Sequence, residues 1–170
     1  MKKILALVAS LTAISAVCAA VLAYVNEITK DPIKATAAAN EQKAIMAVMP
    51  SGVVKTERVG DAFAGRDEAG KIVGYAAKGM DAGGYGGDIV LMVGFQADKK
   101  SVISYKVLQA AETPGLGMKL STPEFAGQFA GRNGASLKVR KDGGEIEAIT
   151  SATITSRAVC RAIADAQSKL

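Results

Sequence analysis

The chain has 170 residues, 49% of them hydrophobic, and 21 basic against 16 acidic side chains give a formal net charge of +5. The positive charges are spread along the chain and aromatics make up only 5%, so there is no basic, aromatic-interleaved surface for nucleic acid. Histidine is absent, and the two cysteines, Cys18 and Cys160, lie far apart. This argues against a protein-held iron–sulfur cluster, a Cys-based zinc site and any Ser-His-Asp or Cys-His catalytic set, and leaves redox chemistry to an organic cofactor.

Met1-Lys2-Lys3 leads into Ile4 to Val25, a run without a charge. As a helix it would be about 33 Å long, enough to cross a bilayer core. That exceeds the apolar region of a secretory signal, and Ala16-Val17-Cys18 and Val21-Leu22-Ala23 are poor cleavage sites. A retained, single-pass membrane anchor is expected. Lys2 and Lys3 precede it while Asn26 and Glu27 follow it, which places the N-terminus in the cytoplasm and the rest outside. The expected organisation is an anchor over 1–28, a helical connector over 29–52 and one extracytoplasmic domain over 53–170.

Thr29-Lys-Asp-Pro32 reads as a break, since Pro favours the first turn of a new helix. Ile33 to Met49 is rich in strong helix formers and ends at Pro50-Ser51-Gly52. Short strands and turns then follow. Strands are expected at Val53–Glu57, Ile72–Ala77, Ile89–Phe95, Val102–Leu108 and Ser136–Arg140. Turns fall at Arg66–Gly70, Ala97–Lys100 and Lys141–Gly144, with a glycine-rich loop at Asp81–Gly87. Pro123–Ala130 suggests a short helix that packs Phe125 and Phe129 inward. A last helix, Ser156 to Gln167, would bury Val159, Ala162, Ile163 and Ala166. Neighbouring strands joined by short turns predict an antiparallel sheet with flanking helices, an α+β domain.

Two stretches stand out from this frame. Ala111-Glu-Thr-Pro-Gly-Leu-Gly117 contains a type II turn signal at Pro114-Gly115, and Gly117 allows close backbone approach. Neither it nor Gly83–Gly87 has the spacing or the strand–helix setting of a Rossmann or Walker loop. On pattern alone both are ordinary turns or the walls of a slot. Glu147-Ala-Ile-Thr-Ser-Ala-Thr-Ile-Thr-Ser156 places Thr150, Ser151, Thr153, Thr155 and Ser156 ahead of a helical pattern. Hydroxyls there cap helices, and the free N–H groups of the same helix end attract a phosphate. The residues leave both readings open. Thr155 or Ser156 is expected to cap, with Thr153 before the helix. Arg157 and Arg161 follow as a solvated face or as cations tuning a bound group.

Glu147-Ala-Ile-Thr-Ser-Ala-Thr153 resembles the flavinylation motif of membrane-anchored FMN proteins, roughly Asp-x-x-Ser/Thr-Gly-Ala-Thr. The resemblance extends to the anchor, to Gly84-Tyr-Gly-Gly-Asp-Ile-Val-Leu-Met-Val-Gly94, to Glu112-Thr-Pro-Gly-Leu-Gly117 and to Ile154-Thr-Ser-Arg-Ala-Val159. It points to the family of G subunits of the Rnf ferredoxin:NAD oxidoreductase, which couples electron transfer to sodium or proton translocation. The C subunit of the sodium-translocating NADH:quinone reductase is a relative and an alternative. A non-redox anchored binding protein is the alternative from another class. Glu147 stands where Asp is usual, and Ser151 where Gly is usual, so the loop must accept a Cβ there. The resemblance implies FMN joined by a flavin transferase through a phosphoester to Thr153. It further implies a phosphate near Thr150, Ser151, Ala152, Thr155 and Ser156, and a ring slot formed by Glu112, Thr113, Leu116, Gly117 and Tyr85. It implies electron relay between membrane and iron–sulfur partner subunits, and no catalytic or metal-ligating residue of the chain's own.

Overall fold

Helix α1 runs from Lys2 to Val48 in the computed structural model, which describes residues 1–170. The chain forms two compact units, Met1–Asn40 and Glu41–Leu170. Within the first, every residue from 1 to 28 is exposed, including Leu5, Leu7, Leu11, Val17, Leu22 and Tyr24. A helix apolar on all sides and unburied is what a bilayer can cover. Its length and composition fit a single-pass membrane anchor.

The break expected at Thr29–Pro32 is absent, because the helix continues through Pro32. Proline here removes one donor, leaving the Ile28 carbonyl without its helical partner. Good helix formers on the C-terminal side carry the helix onward. The hydroxyls of Thr29 and Thr36 donate back to the carbonyls of Val25 (2.7 Å) and Pro32 (2.8 Å), as helical Thr commonly does.

The second unit is built on a five-stranded antiparallel sheet in the order β1-β2-β3-β4-β5. The strands are Lys55–Val59, Ala62–Arg66, Ile72–Gly84, Gly87–Gln96 and Val102–Gln109. Strand β4 explains the layering. Ile89, Leu91, Val93 and Phe95 join the core that holds the last helix, α3 (Thr153–Ser168). Met92, of opposite parity, packs with Ala44, Ile45, Val48 and Met49 from the end of α1. Side chains alternate across a strand, so an unbroken apolar run fits a strand covered on both faces. Glycine makes each cover close-fitting. A Cβ on Gly79 would lie 1.9 Å from the Ala162 carbonyl oxygen in α3, and one on Gly94 would lie 1.9 Å from that of Val48.

Several elements differ from the sequence reading. Strand β2, Ala-Phe-Ala-Gly-Arg, carries little strand propensity and forms because β1 and β3 pair with it on either side. The glycine-rich run is not a loop. Strand β3 extends to Gly84 and β4 starts at Gly87, leaving a tight turn at Tyr85-Gly86 with a register shift between Asp81 and Gly84. Ser136–Arg140 is not a strand. It lies between 3-10 turns at Gly134–Ser136 and Arg140–Asp142, with one bridge, Val139 to Ile146. Pro123–Ala130 divides into helix α2 (Pro123–Ala126) and a 3-10 turn, Gly127–Phe129. Phe125 and Phe129 are buried, their ring centroids 5.3 Å apart edge to face. Phe129 also meets Tyr105 edge-on at 5.5 Å. The Tyr105 hydroxyl donates to the Leu120 carbonyl, and burial raises its pKa.

Helix α3 is tied across the sheet by Arg161, which donates to both oxygens of Asp81 at 2.7 and 2.8 Å. The Arg161 guanidinium holds the Asp81 carboxyl below its usual value. Its contribution to stability is therefore complete above about pH 4 and declines as the pH falls through the folded value. Asp81→Asn should flatten the acid limb of a stability-versus-pH curve, measured by thermal melts; an unchanged limb would refute the tie. Gly79→Ala should lower stability by about 2 kcal/mol or more in denaturant titration, because the neighbour it strikes is backbone.

Candidate functional site

The first turn of α3 is where the hydroxyl run arrives. The helix begins at Thr153, earlier than Ser156, and its N-cap is Ala152, which has no side-chain cap. Thr155 and Ser156, expected to cap, are instead buried in the first turn. The Ser156 hydroxyl accepts the Ile149 N–H at 2.9 Å and donates to the Ala152 carbonyl at 2.9 Å. It closes the loop on itself. Thr155 Oγ1 donates to Glu112 Oε2 at 2.7 Å, and Glu112 Oε1 accepts the Gly86 N–H at 3.2 Å. Glu112 is 6% exposed, so its carboxylate binds three segments together inside the protein: the β3–β4 turn, its own loop and α3.

Around this clamp lies a cleft of about 530 Å³. The turn between β3 and β4 gives it Tyr85, the loop gives Glu112, Thr113, Leu116 and Gly117, and the start of α3 gives Ser151 through Thr155. A Cβ on Gly117 would lie 2.4 Å from Glu112 Oε2 and 3.0 Å from Thr155 Oγ1, so only glycine lets the loop lie flat against the clamp. Thr150 and Ser156 do not line the cleft. Thr150 is exposed, and Ser156 is enclosed by the loop it closes. Ser151 has φ +62°, a backbone region glycine enters at no steric cost and serine enters at roughly 1–2 kcal/mol.

Two residues missed in the sequence belong to this neighbourhood. Ile154 lines the cleft while half exposed; an apolar side chain at the start of a helix was the available signal. Lys141 lies outside the hydroxyl run, in the 3-10 turn Arg140–Asp142, with Nζ 3.5 Å from Thr153 Oγ1. Nothing in sequence spacing announces that approach. Arg157 stays partly exposed and is also paired: it donates to both oxygens of Asp142, each at 2.7 Å. That pairing lowers the Asp142 pKa and raises that of Arg157. Cys160, on the buried side of α3, has its thiol pushed up to about 11 by burial.

The start of α3 suits a phosphate or other anion. The N–H groups of Thr153, Ile154 and Thr155 have no intrahelical acceptor, no side chain caps them, and the helix dipole favours an anion there. Thr153 is half-buried in the same cleft. Its walls are mostly apolar, with Tyr85, Leu116 and Ile154 at the exposed margin.

The family model for the FMN-binding domain matches residues 84–168, a span that includes every residue lining the cleft. The chain is 33% identical to the G subunit of the ion-translocating oxidoreductase complex of Methanosarcina acetivorans, over 95% of this chain and 92% of that protein. It is also 33% identical to the G subunit of the proton-translocating ferredoxin:NAD(+) oxidoreductase complex of Clostridium ljungdahlii, over 96% and 89%. The chain belongs to this family of G subunits. A third G subunit, from the Na(+)-translocating ferredoxin:NAD(+) oxidoreductase complex of Acetobacterium woodii, is 30% identical over 86% of this chain and 81% of that protein. The fold is similar to the crystal structure of NqrC from Shewanella oneidensis, with a TM-score of 0.51 and 20% identity over 70% of this chain and 65% of that one. In this family member the FMN-binding domain is thus the sheet from its β3–β4 turn onward, the loop and α3.

Ser151→Gly should raise stability by about 0.5–1 kcal/mol, the left-handed cost relieved less the extra freedom of glycine in the unfolded chain. Thr155→Val, which keeps shape but removes the donor to Glu112, should cost about 1–3 kcal/mol. Chemical denaturation of both variants checks these figures.

Proposed function

We propose that the chain is an electron-transfer subunit of an ion-translocating ferredoxin:NAD oxidoreductase complex, carrying FMN as a phosphoester on Thr153. The observation that carries this reading is the position of Thr153. Its hydroxyl sits on the first residue of an uncapped helix, inside the cleft of an FMN-binding domain, with Lys141 beside it. G subunits from three organisms support the choice of complex, whereas the likeness to NqrC bears on fold alone.

Bound FMN supplies the redox chemistry, which no side chain in the cleft can. The protein's residues hold it. The helix N–H groups take the phosphate charge, Leu116 and Ile154 offer apolar contact to the ring system, and Tyr85 offers an aromatic face. A covalent tether keeps the cofactor at high effective concentration beside its partners. On this reading the apolar helix anchors the domain to the membrane, and Lys2 and Lys3 ahead of it support a cytoplasmic N-terminus with the domain outside. The partners on this reading are membrane and iron–sulfur subunits of the complex, with a flavin transferase for maturation.

When the chain is produced with a flavin transferase, denatured protein in a gel should fluoresce as flavin. Thr153→Ala should abolish that signal and Thr150→Ala, at an exposed hydroxyl outside the cleft, should preserve it. Thr155→Ala is a poor control because Thr155 is part of the buried clamp. A signal that survives Thr153→Ala, or is absent from the unaltered chain, refutes covalent attachment there. A reporter fused after Leu170 tests topology; activity confined to the cytoplasm would overturn the outside placement.

A further inference from the structure

The turn Arg140-Lys141-Asp142 carries three consecutive charges, and two of them are paired. Arg140 meets Glu147 at 2.8 Å, and Asp142 receives both donors of Arg157. Lys141 has no acidic side chain within salt-bridge reach; its Nζ lies instead 3.5 Å from Thr153 Oγ1. The geometry is built rather than incidental. Thr153 and Arg157 are four residues apart, so they lie on one face of α3. The Asp142–Arg157 pair fixes the turn against that face, and Lys141, the preceding residue, is delivered to Thr153. The other side of the turn is held through Glu147, whose backbone is gripped by Gln128: the Glu147 N–H donates to Gln128 Oε1 at 2.7 Å, and Gln128 Nε2 donates to the Glu147 carbonyl at 3.3 Å.

We infer that Lys141 is the positioning residue for the anion carried on Thr153: the ammonium sits where it neutralises a phosphodiester on that oxygen and orients it towards the helix N–H groups. This rests on the proposed attachment of FMN at Thr153. A phosphate diester keeps one negative charge, and the helix end alone answers it with a partial charge. A flexible lysine supplies a full charge with three donors and can follow the group as the flavin settles. The acidic residue of the flavinylation motif acquires a structural role as well. Glu147 holds the turn that presents Lys141 rather than contacting the cofactor.

The test uses the full chain produced with a flavin transferase, with covalent flavin followed by intact mass over time and the finished adduct examined by 31P NMR. Lys141→Gln should slow incorporation roughly two- to fivefold, the range an exposed ion pair supports, and should shift the phosphodiester resonance. Lys141→Arg should restore both, and Lys100→Gln, in the exposed β4–β5 turn and outside the cleft, should change neither. The resonance decides the matter: an unchanged 31P signal in Lys141→Gln overturns the inference even if incorporation slows, since Lys141 would then act on the transferase and not on the bound group. Failure of the underlying reading looks different, because the unaltered chain itself would then carry no covalent flavin.

Discussion

The carboxylate of Glu112 is the contact on which the site depends. It is buried without a cation and is satisfied by one backbone N–H, from Gly86, and one hydroxyl, from Thr155. Leaving such a group unpaired costs more than a made hydrogen bond contributes, on the order of 1–3 kcal/mol. The three segments it joins therefore tend to hold together or loosen together. Those segments are the three walls of the cleft. Gly117 has no Cβ because one would strike this same pair. The Glu-Thr-Pro-Gly-Leu-Gly stretch is then a loop shaped to bring one carboxylate inward while Leu116 stays at the surface.

A second constraint is the placement of α3. Gly79 lets it approach β3 at backbone distance, Arg161 ties it to the β3 end of the hairpin, and Arg157 ties it to the turn that carries Lys141. Its N-terminus is left without a side-chain cap. An uncapped helix end is usually a small loss of stability. Here it opens on the cleft, where its first-turn N–H groups can meet an anion. Ser151, held at positive φ just before the helix, adds to the strain at this point.

The outline of the fold was legible because it rests on local signals. The charge-free run, the near-continuous apolar run of β4, the alternation of β5 and the inward face of α3 are all readable from neighbouring residues alone. What stayed hidden depends on tertiary partners. Strand β2 has no strand-like composition and exists because β1 and β3 flank it. Tyr85 was expected in a glycine loop and stands on a tight hairpin turn, since Gly83 and Gly84 can extend a strand as readily as they can break it. At the site, the loop Glu112–Gly117 and the run Ser151–Thr155 were found from motif and do converge on one cleft. The roles within the run were not readable. Thr155 and Ser156 look like capping residues in sequence, yet their hydroxyls turn inward once the helix starts at Thr153. Lys141 was invisible because tertiary pairs, Asp142–Arg157 and Arg140–Glu147, hold its turn beside Thr153.

The central claim is chemical: one hydroxyl among several carries the flavin. Trypsin cutting after Lys141 and Arg157 releases Asp142–Arg157, which contains Thr150, Ser151, Thr153, Thr155 and Ser156 together. Tandem mass spectrometry of that peptide from flavinylated protein can assign the phosphoester to a single residue. The account predicts fragment ions that place the whole flavin phosphate on Thr153. Fragments that place it on any other hydroxyl, or a peptide that carries none, would contradict it.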